Sequence, residues 1–218
     1  MQNAPDVPVA PMLKSLPNIL TGSRLVMALF MFVAFAAAAG AVPYFANRLT
    51  PEAQFALQRW AVYAFILAAI TDFFDGWLAR KLKAESVWGA ILDPIGDKVL
   101  VCGAILGLLS LGPQPMVVLP AGLILFREFT VSALREVGAG KGVKLPVTLL
   151  AKWKTTIQLV ALAMELIVAA WGAFSLPDGT AFRALFELSA HGMLWLAAVV
   201  TLITGFQYWE QTRKALSS

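Results

Sequence analysis

The chain has 218 residues, of which 59% are hydrophobic and 14% charged, with a formal net charge of +4 and a mean hydropathy of +0.75. A soluble domain carries about 25% charged residues, so this composition excludes an ordinary soluble fold and points to a polytopic membrane protein. The single cysteine, Cys102, stands in an apolar run, which excludes a disulfide framework and a CxxC metal site. The basic residues are dispersed at helix ends with no binding motif, so nucleic acid is excluded as a partner.

Residues 1–17 are polar and Pro-rich and read as an irregular juxtamembrane segment, in which the piece around Met12 to Leu16 has the amphipathic character of a short interfacial helix. No cleavable signal peptide is evident, because the first apolar run is too long for an h-region. Residues 18–218 read as one all-α domain of six transmembrane helices. The first is expected from about Ile19 to Val42, ending before Pro43. The second is expected from about Ala53 to Ala79, behind the start signal Thr50-Pro51-Glu52. The third spans about Val87 to Leu111, the fourth Met116 to Val137, the fifth Leu149 to Trp171, and the sixth Ala181 to Trp209.

Lys and Arg orient these segments. Placing the N-terminus in the cytoplasm gives that side Lys14, Arg24, Arg80, Lys81, Lys83, Arg135, Lys141, Lys144, Lys152, Lys154, Arg213 and Lys214, and leaves Arg48, Arg59 and Arg183 for the other. Both termini are therefore expected to be cytoplasmic. Tyr44, Trp171, Tyr208 and Trp209 fall where interfacial aromatics belong.

Into the second and third helices the sequence sets four aspartates. Asp72 and Asp75 are three residues apart, Asp93 and Asp97 four apart, so each pair shares a helix face. A carboxylate at membrane depth costs roughly 2.5–3.5 kcal/mol, and four cost on the order of 10 kcal/mol unless cations or water offset them. With the assigned orientation all four lie near the cytoplasmic ends of two antiparallel neighbours, where their carboxylates can converge. Converging carboxylates without Cys or His suit hard cations such as Mg²⁺ or Mn²⁺, and a pair of such ions assists displacement at phosphorus. Gly76, Ala79 and Gly89 keep that face free of bulk, and Arg80 projects toward the pocket mouth with a fork of donors suited to phosphate. Two other readings stand beside this one: a buried charge network with Arg80, Lys98 and Arg127, and an intramembrane cation path. His191, the only histidine, reads as structural.

The string D72-x2-D75-G76-x2-A79-R80-x8-G89-x3-D93-x3-D97 matches the signature of the CDP-alcohol phosphotransferases at every fixed position, and the six-helix layout is similar as well. The resemblance implies a dimeric integral membrane enzyme with two divalent metals that displaces CMP from a CDP-linked donor with an alcohol acceptor. It implies that Asp72, Asp75, Asp93 and Asp97 hold the metals, that Asp97 is the general base, and that Asp72, Gly76, Ala79, Arg80 and Gly89 line the CDP site.

Flanking segments resemble one subgroup, the phosphatidylglycerophosphate synthases. Pro17-Asn18-Ile19-Leu20-Thr21 with Arg24 looks like the opening in which the Asn, Thr and Arg contact the nucleotide. The runs from Arg127 to Arg135 and from Ala151 to Gln158 look like that subgroup too. There Arg127, Arg135, Lys152 and Lys154 form a basic wall suited to an acceptor carrying its own phosphate, namely glycerol 3-phosphate, with CDP-diacylglycerol as donor. Glu128 reads as orienting a basic neighbour. Ser132 and Cys102 lack a neighbouring His, so a single direct displacement is expected. A cardiolipin synthase of the same superfamily, using another acceptor, is the nearest alternative. The expected setting is a bacterial inner membrane among lipids, with the active site toward the cytoplasm.

Overall fold

A computed structural model describes residues 11–82, 87–112, 114–140 and 149–217; within the helices, the side chains at 11–18, 73–82, 87–91, 93, 149–152 and 216–217 lie outside the described set. Among the described residues the fold is entirely helical: α1 (Pro11–Ala38), α2 (Pro51–Leu82), α3 (Val87–Ser110), α4 (Pro115–Gly140), α5 (Leu149–Ala169) and α6 (Ala181–Ser217), with a 3₁₀ turn at Trp171–Phe174. Four of the helices contain stretches long and apolar enough to cross a membrane: Ile19–Ala38, Pro51–Asp72, Pro115–Gly140 and Ala181–Ala215.

The helix ends follow from local chemistry. Thr50 caps α2, its Oγ1 accepting a hydrogen bond from the Ala53 amide at 3.3 Å, with Pro51 in the first helical position where its missing N–H costs nothing. Thr180 does the same for α6, accepting from the Arg183 amide at 3.2 Å. α1 stops at Ala38 rather than Val42. Gly40 adopts a positive φ of 72°, and the Gly40 and Ala41 amides reach back to the Ala37 and Ala36 carbonyls at 3.0 and 2.8 Å. That left-handed glycine closure ends the helix before Pro43 can. At the other end α1 begins at Pro11, so the short helix expected around Met12 to Leu16 is present but runs without a break into the first span, in place of the irregular segment expected through residue 17. α5 ends at Ala169 and passes into the 3₁₀ turn, which closes at Ser175 with φ 53°. α6 runs on past Trp209 to Ser217, because its tail holds no Gly or Pro to stop it.

α1 packs extensively on both α2 and α3, while α6 packs on α4 and α5. The shared core sets large apolar side chains, including Met31, Phe35, Phe65, Ile105, Leu162 and Leu194, each fully buried, among buried alanines such as Ala61, Ala68 and Ala104. Between helices in lipid, small residues allow close approach, and the α1–α3 seam uses glycine for this. A Cβ at Gly103 would stand 3.2 Å from Met31 Cε, and one at Gly107 would stand 3.1 Å from Phe35 Cδ2. The outward faces carry Leu29, Leu67, Phe126 and Phe206, all more than half exposed. Apolar side chains on this scale face lipid or a partner rather than water.

Gly107→Val is expected to overpack the seam against the buried Phe35 and cost about 1–3 kcal/mol, lowering the thermal unfolding midpoint in detergent. Gly122→Ala, where a Cβ meets nothing within 4 Å, should not lower it.

Candidate active site

Two charged clusters gather at one end of the bundle, where α1, α3 and α5 begin and α2, α4 and α6 end. The first joins α1, α2 and α3. Arg24 of α1 is 1% exposed, and its Nη1 lies 2.6 Å from Asp72 Oδ1 of α2 and 3.0 Å from Asp97 Oδ1 of α3. One guanidinium nitrogen therefore draws together carboxylates 25 residues apart in sequence. An Arg–carboxylate pair removed from water is stable only when each charge finds its partner; here a buried cation serves two anions. Gly96 sits beside this bridge: a Cβ there would be 3.6 Å from Arg24 Cδ and Nη1 and 3.9 Å from Thr21 Cγ2. Thr21 is itself buried. The two aspartates differ in access, Asp72 being 28% exposed and Asp97 51%, so Asp97 is the more open of the two.

The structure thus brings Thr21, Arg24, Asp72 and Asp97 together. The side chains of Asn18, Asp75, Gly76, Ala79, Arg80, Gly89, Asp93 and Lys152 lie outside the described residues, although their backbone is helical. Among the described residues no three metal-ligating side chains cluster; two of the four candidate aspartates are outside that search.

The second cluster joins α4, α5 and α6. Arg127 donates from Nη2 to Thr204 Oγ1 at 3.1 Å and from Nη1 to Glu128 Oε1 at 3.4 Å. Lys154 of α5 also pairs with Glu128, which holds the two cations as a shared counter-ion. Arg135 donates from Nη2 to the Tyr208 hydroxyl at 2.8 Å. Arg127, Arg135 and Lys154, three of the four cations expected from sequence to form a basic wall, lie in this one cluster; the fourth, Lys152, has its side chain outside the described residues. Glu128 orients its basic neighbours as expected. Tyr208, expected as an interfacial aromatic, is instead 3% exposed and bonded into the cluster; the only signal in the sequence was its position near the end of the last apolar run. Thr204 and Gly205 carried no signal at all.

A cleft of about 380 Å³ runs between α2 and α5 and reaches Asp72 of the first cluster. Its length is apolar, with Phe65, Ile66, Ala69 and Ile70 on one side and Leu159, Val160 and Ala163 on the other. It ends at Asp72, Thr155 and Thr156, and the next residue, Lys154, belongs to the basic cluster. An apolar cleft that ends at a carboxylate and two threonine hydroxyls fits an amphiphile with a polar head.

The far end of the bundle is built differently. Arg59 donates to the Ala173 carbonyl at 2.5 Å, Trp171 stacks with Phe182 and Phe186 at centroid distances of 6.0 and 5.6 Å, and Arg183 pairs with Asp178. His191, expected to be structural, meets the buried Glu165 of α5 through Nδ1 at 2.9 Å and ties α5 to α6.

Residues 14–203 match the family model described as CDP-alcohol phosphatidyltransferase. The chain is 39% identical to the CDP-diacylglycerol–glycerol-3-phosphate 3-phosphatidyltransferase of Cereibacter sphaeroides, across 93% of this chain and 96% of the relative. Proteins of the same name from Rickettsia felis and Haemophilus influenzae are 36% and 30% identical, across 92% and 93% of this chain and 97% and 95% of theirs. The chain belongs to the CDP-alcohol phosphatidyltransferase family.

Proposed function

We propose that this protein transfers the phosphatidyl group of CDP-diacylglycerol to glycerol 3-phosphate, releasing phosphatidylglycerophosphate and CMP. The observation that carries the reading is the presence, at the same end of the bundle, of an acidic cluster, Asp72 and Asp97 on Arg24, and a basic cluster, Arg127, Arg135 and Lys154, with an apolar cleft between α2 and α5 that reaches Asp72. The acidic side suits a donor that arrives with metal-bound pyrophosphate. The basic side suits an acceptor with its own phosphate, which a neutral alcohol would not need. The relatives' names support the same pair of substrates.

The donor enters laterally from the bilayer, an acyl chain lying in the cleft between α2 and α5 and the nucleotide reaching Thr21, Arg24 and the end of α2. Asn18, Gly76, Ala79, Arg80 and Gly89 complete the nucleotide site. Oxygen donors held together without thiol or imidazole fit Mg²⁺ or Mn²⁺, and Asp72, Asp75, Asp93 and Asp97 would hold two such ions. When bound, the ions supply positive charge against the pyrophosphate and the departing CMP. Arg127, Arg135, Lys152 and Lys154 hold the phosphate of glycerol 3-phosphate so that its 1-hydroxyl faces Asp97. The half-exposed Asp97 carboxylate accepts the hydroxyl proton. The oxygen then forms a bond to the phosphorus nearer the diacylglycerol as the bond from that phosphorus to CMP breaks, and CMP leaves with the electron pair. All six helices span the membrane, with both termini and the active site cytoplasmic in a bacterial inner membrane, and the protein works as a homodimer.

Purified protein supplied with CDP-diacylglycerol should release CMP when glycerol 3-phosphate is added, and not when serine, inositol phosphate or phosphatidylglycerol replaces it. Failure with glycerol 3-phosphate, or equal turnover with another acceptor, rejects the assignment. Asp97→Asn should lower turnover by roughly 10³-fold while expression and thermal midpoint persist, because Arg24 keeps Asp72 as partner. Chelation with EDTA should stop CMP release, and added Mg²⁺ or Mn²⁺ should restore it; metal flux into proteoliposomes without CMP release would favour a transporter instead.

A further inference from the structure

We infer that Tyr208 is a positioning residue for the acceptor's phosphate, holding the two guanidinium groups that receive it. The inference rests on the reading of Arg127 and Arg135 as the acceptor-phosphate site and extends it to a helix that reading did not use.

Tyr208 lies on α6, two turns from the C-terminal end of the apolar stretch, and is almost wholly buried. Its hydroxyl accepts a hydrogen bond from Arg135 Nη2 at 2.8 Å. Its ring lies beneath both guanidinium groups, with the Arg135 Cζ 4.9 Å and the Arg127 Cζ 5.9 Å from the centroid. Both distances are within the range in which the negative face of an aromatic ring attracts a cation. Among the described residues no carboxylate pairs with Arg135, so Tyr208 is what orients it. One turn earlier, α6 supports Arg127 as well. Thr204 Oγ1 accepts from Arg127 Nη2, and a Cβ at Gly205 would stand 2.8 Å from Arg127 Cγ, closer than real contacts allow.

The chemistry needs such a support. Arg127 and Lys154 share one carboxylate, Glu128, and Arg135 stands beside them with no carboxylate of its own among the described residues, at the edge of an apolar bundle. Like charges drive such groups apart until an anion arrives. A second carboxylate would hold them but would also compete with the incoming phosphate. A tyrosine attracts both guanidinium groups through its ring and its hydroxyl while adding no negative charge. Arg127 Nε, buried and without a hydrogen-bond partner among the described residues, is a donor left for an anion; an unmatched buried donor is otherwise unfavourable.

The test compares steady-state kinetics of the full-length protein in detergent with CDP-diacylglycerol and glycerol 3-phosphate. Tyr208→Phe keeps the ring and removes the acceptor of the Arg135 hydrogen bond. It should raise KM for glycerol 3-phosphate about tenfold, as expected for losing a hydrogen bond to a charged group, with kcat, KM for CDP-diacylglycerol and thermal midpoint near wild type. Gly205→Ala, which pushes on the Arg127 stem, should raise the same KM and decides the question if Tyr208→Phe does not fold. An unchanged KM for glycerol 3-phosphate overturns the inference, as does a fall in kcat with equal rises in both KM values, which marks a purely structural role. If the wild type itself does not use glycerol 3-phosphate, the acceptor assignment has failed and the inference falls with it; a responsive wild type with unresponsive variants rejects the role of Tyr208 alone.

Discussion

The Arg24 bridge between Asp72 and Asp97 is the interaction on which the site depends. In an apolar bundle a carboxylate has few ways to exist, and a buried guanidinium is equally costly alone. Joining one cation to two anions gives each charge a partner of opposite sign and ties α1, α2 and α3 at one depth. The bridge in turn requires α1 to lie close to α3, and the glycines at 96, 103 and 107 permit that approach. A larger residue in that seam would push Arg24 away from Asp97. Packing in the apolar half of the seam and charge placement at its end are thus one constraint.

The bundle has two dissimilar ends because they face different tasks. At one end cations and anions are gathered into two clusters on either side of a cleft, each cluster spanning three helices. At the other, aromatic stacking around Trp171, the Arg59 bond to the Ala173 carbonyl and the Glu165–His191 pair close the structure. A reaction between a lipid and a soluble phosphate needs this division. The lipid's chains require an apolar channel, its pyrophosphate requires carboxylates that can share cations, and the acceptor requires cations that are not already neutralised. Glu128 neutralises only part of the basic cluster, and Tyr208 stabilises the remainder without cancelling its charge.

Much of this was legible in the sequence. Hydropathy marked six apolar segments, and each became a helix. The spacing of the aspartates, against their cost in lipid, singled out Asp72, Asp75, Asp93 and Asp97, and of these Asp72 and Asp97 meet on Arg24. The Thr50-Pro51-Glu52 start behaved as its capping chemistry requires. The misjudged boundaries have local causes. Pro43 looked like the terminator of α1, but Gly40 could adopt a left-handed φ and did so first. The region around Pro11 looked irregular, yet a proline in a first helical position favours a helix. Arg24 could be placed at the nucleotide site only by resemblance; that it bridges two aspartates depends on how α1 lies between α2 and α3, which periodicity within one helix does not encode. Tyr208 escaped for the same reason. An aromatic near a helix end is an ordinary interfacial residue until the partner helix supplies two arginines.

The most direct test is a crystal structure grown with Mn²⁺ and CDP-diacylglycerol, read by anomalous scattering at the manganese edge. The account predicts two manganese peaks about 3.5–4 Å apart between α2 and α3, beside Asp72 and Asp97 and at the closed end of the α2–α5 cleft. Manganese confined to another place, such as the Glu165–His191 pair, or no ordered manganese beside the aspartates, would contradict it.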